Sequence, residues 1–263
     1  MNPDALPSNW GLRAVLFHAG GLAVPSYETF VLLAIVAGFI AYWLAARKQP
    51  ELGDRSAYLI MAALVGGVFG AKAPVWVMHY CEVAAAHSPL AWLSGRTIVG
   101  GLIGGTAAVA LTRPWLGMRE RSGNLFAVGM ALALAVGRIG CLLRGCCYGV
   151  PTSLPWGLDL GDGIRRHPTQ LYESLFAFGL FAWLVRASRR HPSPGAMFRT
   201  FMLAYFSFRF AVEFLRFEPR TVAGLTLAQI VSIGVVGYYL TIGRIANHPP
   251  LHEVAPYETV QSS

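Results

Sequence analysis

Residues 29 to 46 read TFVLLAIVAGFIAYWLAA, eighteen positions with no charged side chain. A helix rises 1.5 Å per residue, so this run extends about 27 Å, close to the roughly 30 Å hydrocarbon core of a bilayer. The rest of the chain shares its character. Of the 263 residues, 55% are hydrophobic and only 13% are charged, and mean hydropathy is +0.50. A soluble domain carries about 25% charged residues, so the composition is that of a polytopic membrane protein.

Working outward, further spans are expected at about 57–80, 97–112, about 124–143, about 170–185, 197–217 and 221–243. That makes about seven transmembrane helices in an all-α fold. Basic residues gather after the first, third, fifth and seventh: Arg47, Lys48 and Arg55; Arg113, Arg119 and Arg121; Arg186, Arg189 and Arg190, with Arg199 just beyond; and Arg244. The positive-inside rule assigns those ends to the cytoplasm, which puts the N-terminus outside and the C-terminus inside. Residues 1–246 read as a single transmembrane domain whose polar loop, 144–169, is on the outer side. Residues 247–263 read as a disordered cytoplasmic tail. The first 26 residues, with Asp4 and Arg13 as their only charges, lack the pattern of a cleavable signal.

The formal charge of +8, from 21 Lys+Arg against 13 Asp+Glu, is then largely an orientation signal. No basic run is interleaved with aromatic residues, so nucleic acid is not an expected partner. Cys81, Cys141, Cys146 and Cys147 have neither zinc-ribbon spacing nor the framework of a small secreted domain. The vicinal Cys146-Cys147 pair is either a thiol-reactive feature or, more commonly for such residues, a buried inert one. No metal and no cofactor is expected.

The segment from Val136 to Glu173 departs from the apolar pattern. It holds Arg138, three cysteines, many glycines and the run RRHPTQLYE from Arg165. An arginine at membrane depth costs at least about 2.5–3.5 kcal/mol and is kept mainly for a purpose. In the sixth span, Tyr205, Arg209, Glu213 and Arg216 are spaced four, four and three residues apart, which puts them on one helical face. Phe206, Phe208, Phe210 and Phe214 occupy the others. Two readings are open: an Arg209 to Glu213 pair that joins helices, or a cationic cavity in which Arg138 and Arg209 hold a phosphate. At that depth the abundant phosphates are lipid head groups.

His167 is either a loop residue or a proton-transfer group. Glu173 is placed to pair with an arginine. Tyr27 is an interfacial anchor or a hydrogen-bond donor. In the third span, Gly100, Gly101, Gly104 and Gly105 let helix backbones approach closely, or permit a broken helix lining a cavity.

GGLIGG at 100–105, GRIG at 137–140, HPTQLYE at 167–173 and the Y-x-x-x-R-x-x-x-E-x-x-R pattern from Tyr205 to Arg216 together resemble prolipoprotein diacylglyceryl transferase, a bacterial inner-membrane enzyme. The resemblance implies transfer of the diacylglyceryl group of phosphatidylglycerol to the lipobox cysteine of a prolipoprotein signal-peptide region, with release of glycerol phosphate. Membrane lipids and these two substrates are the implied partners. It also implies that Arg138 and Arg209 take the phosphate, that Tyr205 and Tyr27 hydrogen-bond to the site, and that Glu213 orients Arg209. Gly100, Gly101, Gly104, Arg144, Glu173 and Arg216 complete the expected substrate-binding set.

The chain departs from the family pattern in two places. Val99 stands where a histidine commonly precedes the GG motif, and Cys141, Arg144, Gly145 and Cys146 stand where N-x-x-N-G-E commonly follows GRIG. His167 is the expected substitute base. Two other readings remain: a lipid transferase with another acceptor, relaying through Cys146 or Cys147, and a non-catalytic protein that binds or transports an anionic phospholipid.

Overall fold

The computed structural model describes residues 10–47, 55–78, 97–117, 123–190, 192–218, 220 and 223–246. Among them are seven long helices: α1 Ser26–Ala46, α2 Arg55–Met78, α3 Ile98–Trp115, α4 Gly123–Arg144, α5 Thr169–Ser188, α6 Ala196–Val212 and α7 Leu227–Ala246. Three segments, Ser26–Ala46, Ala57–Val77 and Gly123–Arg144, are long and apolar enough to cross a membrane. The other helices are shorter or give positions to polar groups, such as Gln170, Glu173 and Arg186 in α5 and Arg199 and Arg209 in α6. Cys81, Lys48, Arg119, Arg121 and the tail 247–263 lie outside the described residues.

Two short antiparallel hairpins accompany the helices of this all-helical fold. β1 Val15–Ala19 pairs with β2 Leu22–Pro25, and β3 Leu158–Asp159 pairs with β4 Arg165–Arg166. The first turns on Gly20 and Gly21, both at positive φ, where glycine has no Cβ to clash. In the second, one carboxylate oxygen of Asp159 accepts from the backbone N–H groups of Gly161, Asp162 and Gly163. The loop 144–169 is therefore a folded cap.

Helix contacts follow from small residues. A Cβ on Gly100 would lie 2.2 Å from Gly70 O, and one on Gly104 would lie 2.4 Å from Gly66 O. The α2–α3 hairpin therefore closes backbone on backbone. Gly129 does the same for α4 against α1, where a Cβ would lie 2.6 Å from Gly38 O. Outward-facing Leu32, Met61, Val68 and Phe69 are each more than 60% exposed, a surface suited to lipid. The buried core joins Ala127, Val128 and Ala131 of α4 to Phe201, Met202, Tyr205 and Phe206 of α6.

The two ends of the bundle are tied differently. At one, the Asn124 amide donates to Pro192 O and Ser193 O, and its oxygen accepts from Met197 N. At the other, Gly11 N donates to Leu160 O, Arg13 N to Leu143 O and Val150 N to Leu215 O. The starts of α1 and α5 and the ends of α4 and α6 therefore share one end, closed by the cap and the N-terminal segment.

Candidate functional site

At the capped end, three helices bring buried charges together. Arg138 of α4 forms an ion pair from Nη2 to Glu173 Oε2 of α5. The other oxygen, Glu173 Oε1, lies 3.3 Å from Arg216 Nη1 and 3.8 Å from Arg209 Nη1. Glu213 Oε2 lies 2.5 Å from Arg209 Nη1 and 3.5 Å from Arg216 Nε, while its Oε1 accepts from Thr226 Oγ1 at 3.0 Å. Arg216 Nη2 also donates to the half-exposed Glu218 at 2.9 Å. The Arg209–Glu213 pair exists, and it is part of a larger cationic cluster.

Charge decides what such a cluster is good for. Three arginines face two glutamates inside the buried set, which leaves one positive charge in excess of the buried carboxylates among the described residues, with the rim carboxylate of Glu218 on Arg216. Buried ion pairs are poor stabilisers because desolvation offsets the attraction. An anion that brings two oxygens to the guanidinium forks gains more here than at a wet surface. The Tyr205 hydroxyl and Arg138 Nε are buried without a hydrogen-bond partner, and Tyr205 lies in the field of Glu173, Arg138 and Arg209.

The stripe does not continue as one helix. α6 ends at Val212, Glu213–Leu215 form a 3₁₀ turn, and Arg216 is extended. Arg216 joins the cluster through that turn, and its backbone bridges to Gly149 of the cap. A Cβ on Gly149 would lie 2.5 Å from Leu215 O, so glycine permits this docking.

HPTQLYE runs from the cap into α5 and distributes its side chains between two tasks. Thr169 Oγ1 donates to Cys147 O at 2.7 Å and Gln170 Nε2 to Cys146 O at 2.6 Å, and one turn on, Glu173 gathers the arginines. His167 sits at the cap's inner edge. Its backbone N–H donates to Val150 O and its carbonyl accepts from Gly149 N, while Nδ1 lies 3.3 Å from Tyr172 Oη. Among the described residues its ring makes no hydrogen bond to the arginine cluster.

The three thiols stand beside the cluster, with their Sγ atoms all within 4.8 Å of one another. Arg138 Nη1 approaches Cys141 Sγ at 4.0 Å. Hydrogen bonds from Cys141 and Cys146, then the Arg216 and Arg138 charges, hold the Cys147 thiol well below the ordinary range. In the cap, the two hydrogen bonds from Arg166, 2.7 and 2.6 Å, hold the Asp162 carboxyl down at about 2.

The remaining expected residues are placed apart from this centre. Tyr27 and Arg144 meet at the surface, with the guanidinium 5.2 Å from the ring centroid, and Arg144 faces the exposed Glu28 at 3.7 Å. Gly100 and Gly104 are occupied by the packing of α2 on α3. Gly101 instead lines a cavity of about 560 Å³ that extends to Arg113 and Arg199. Val99 packs against the apolar core.

Thr226 and Gln229 went unread in the sequence. Thr226 N donates to Gln229 Oε1 at 3.0 Å and Gln229 N to Thr226 Oγ1 at 3.3 Å, a capping box that starts α7. Its T-x-x-Q spacing was the available signal. Thr169, Gln170 and Ser174, whose hydroxyl donates to Ala135 O, lie inside or beside a motif already singled out.

A sequence model described as prolipoprotein diacylglyceryl transferase matches residues 14–244. Relatives bear the name phosphatidylglycerol–prolipoprotein diacylglyceryl transferase. The protein from Clostridium tetani is 32% identical over 233 residues, 84% of this chain and 93% of the relative. That from Cupriavidus pinatubonensis is 33% identical over 249 residues, 84% of each, and that from Bordetella bronchiseptica is 33% identical over 260 residues, 88% of this chain and 95% of the relative.

Proposed function

Since the chain belongs to the prolipoprotein diacylglyceryl transferase family, we propose that its buried arginine cluster holds the phosphate of phosphatidylglycerol. The chain is an enzyme that transfers the diacylglyceryl group of phosphatidylglycerol to prolipoprotein, in preference to a lipid binder without turnover. The observation that carries the site assignment is the charge of the buried set around Glu173, three arginines against two glutamates.

In the finer reading the acceptor is the lipobox cysteine of the signal-peptide region. Its thiolate attacks the glycerol carbon, the carbon–oxygen bond to phosphate breaks, and glycerol phosphate leaves with the electron pair. Negative charge builds on the departing phosphate, where preorganised cations help most. Arg138 and Arg209 bind the phosphate oxygens. Glu213 and Glu173 set the guanidinium planes, Arg216 adds charge through both glutamates, and the free Tyr205 hydroxyl donates to the phosphate. His167 takes the thiol proton, and Tyr172 on Nδ1 orients its ring. Tyr27 and Arg144 line the approach from the surface, and Gly100, Gly101 and Gly104 serve the site by bringing α3 against α2.

The topology that suits these roles has seven spans in the bacterial inner membrane, with the N-terminus outside and the C-terminus in the cytoplasm. The cap then faces the compartment in which the prolipoprotein cysteine emerges. Incubation of the purified protein with phosphatidylglycerol and a lipobox peptide tests the reading. The peptide gains one diacylglyceryl mass, and an unmodified peptide under conditions where an active relative modifies it would refute the assignment.

A further inference from the structure

We propose that Cys141, Cys146 and Cys147 form a three-thiolate site for a thiophilic divalent cation of the zinc class, with a fourth position open to the acceptor thiol. The three Sγ atoms lie within 4.8 Å of one another. In a tetrahedral zinc–thiolate centre, with Zn–S near 2.3 Å, sulfurs stand about 3.8 Å apart, so small side-chain rotations close the set around an ion. The spacing, four residues and then none, hides this arrangement from a sequence reading. It is made by backbone geometry.

That geometry is held from outside the loop. Cys147 has φ +62, a conformation that residues with a Cβ adopt rarely and that persists where surroundings enforce it. Here Thr169 and Gln170 clamp the carbonyls of Cys147 and Cys146, and Cys146 N donates to Cys141 O at 3.1 Å. A chance cluster of inert thiols has no use for two α5 side chains fixing its turn.

The ligand set is soft. Three sulfurs without a carboxylate or imidazole among the described residues suit zinc-like ions and not magnesium or calcium. Three protein ligands with one open position is the pattern of a catalytic metal site, where structural sites close with four. Three thiolates and a divalent ion carry one net negative charge, and the buried Arg138 guanidinium stands beside them. Arg138 joins the two centres, 4.0 Å from Cys141 Sγ and paired with Glu173.

The role of the open position rests on the transferase reading. Coordination deprotonates a thiol outright at neutral pH, and Val99 offers no base. The acceptor thiol binds the ion, and its proton passes to His167, two residues from the Thr169 that holds Cys147. The sulfur–carbon bond then forms as the carbon–oxygen bond to phosphate breaks, with no change of oxidation state.

Cobalt(II) titration of the reduced full-length protein in detergent tests the site. Expected are one cobalt per chain, thiolate-to-metal charge-transfer absorption and the visible bands of a tetrahedral centre. Cys147→Ser weakens binding at least tenfold. A lipobox peptide shifts the bands, and its Cys→Ser counterpart does not. Unchanged absorption in the wild-type protein, cobalt retained by the Cys141→Ser, Cys146→Ser, Cys147→Ser variant, or a Cys146–Cys147 disulfide in the active protein overturns the proposal. So does a spectrum indifferent to the peptide. Transfer by metal-free protein sinks this inference and leaves the transferase reading standing; a cobalt site that answers the peptide without any transfer from phosphatidylglycerol does the reverse.

Discussion

Arg138 and Glu173 pair across the α4–α5 contact with their side chains only 5% and 2% exposed, and the same carboxylate faces Arg209 and Arg216. Removing that charge leaves three guanidinium groups with Glu213 as the only buried carboxylate among the described residues. Breaking a buried pair by deleting one partner costs about 3–5 kcal/mol. Glu173→Gln is expected to lower stability by that order, seen as an earlier thermal unfolding transition in detergent, and to abolish transfer. An unchanged transition would show that Glu173 does not hold the cluster.

Tyr205 makes the opposite prediction for stability. Its buried hydroxyl has no partner, and an unsatisfied buried polar group costs about 1–3 kcal/mol. Tyr205→Phe is therefore expected to be as stable as the parent or more so, while kcat falls about tenfold or further because the phosphate loses a donor. Loss of stability with full activity would remove Tyr205 from the site.

The glycines of α3 divide by what they touch. A Cβ on Gly104 meets Gly66 O at 2.4 Å, whereas one on Gly101 meets Gly67 O at 3.4 Å. Gly104→Ala should cost about 1–3 kcal/mol through forced separation of α2 and α3; Gly101→Ala should cost well under half of that. Thermal unfolding of the two variants side by side checks the order, and equal transitions would contradict the packing described.

How much of this was legible in the sequence depends on the kind of interaction. The helices were, because runs such as 29–46 and 124–143 carry their own apolar signal. Arg138, Arg209 and Glu213 were, because charge is scarce in such runs and stands out. Glu173 was visible only as a possible partner; that one carboxylate serves three arginines depends on how α4, α5 and the turn after α6 meet, which no local pattern encodes. Arg216 was placed on a helical face that ends at Val212. The second hairpin went unread because two-residue strands have no periodicity to detect, and the first because VLFHA and LAVP carry no polar–apolar alternation. The thiol cluster was hidden in the positive φ of Cys147.

The cap has its own pH dependence. Arg166 holds the Asp162 carboxyl down at about 2, against about 3.9 for an unperturbed aspartate. A depressed folded-state value stabilises above the unfolded value and loses that contribution as pH falls through the folded one. Hydrogen exchange at the Ile164 amide, which donates to Asp162 Oδ1, corrected for intrinsic rates, should show constant protection from pH 7 to about 4 and a loss between about 4 and 2. Protection that declines already between pH 7 and 5 would point to a different group.

The central claim is that the Arg138 fork holds a lipid phosphate during transfer. Arg138→Lys keeps the charge and loses the two-pronged geometry, and removing one donor from a charge-stabilising site costs about 10²–10³ in kcat. The decisive measurement is glycerol phosphate released per lipidated peptide with phosphatidylglycerol as donor, for the parent and for Arg138→Lys at equal folded concentration. The expected result is one glycerol phosphate per peptide from the parent and a rate at least about a hundredfold lower from the variant. An Arg138→Lys protein that releases glycerol phosphate at the parent's rate would contradict it.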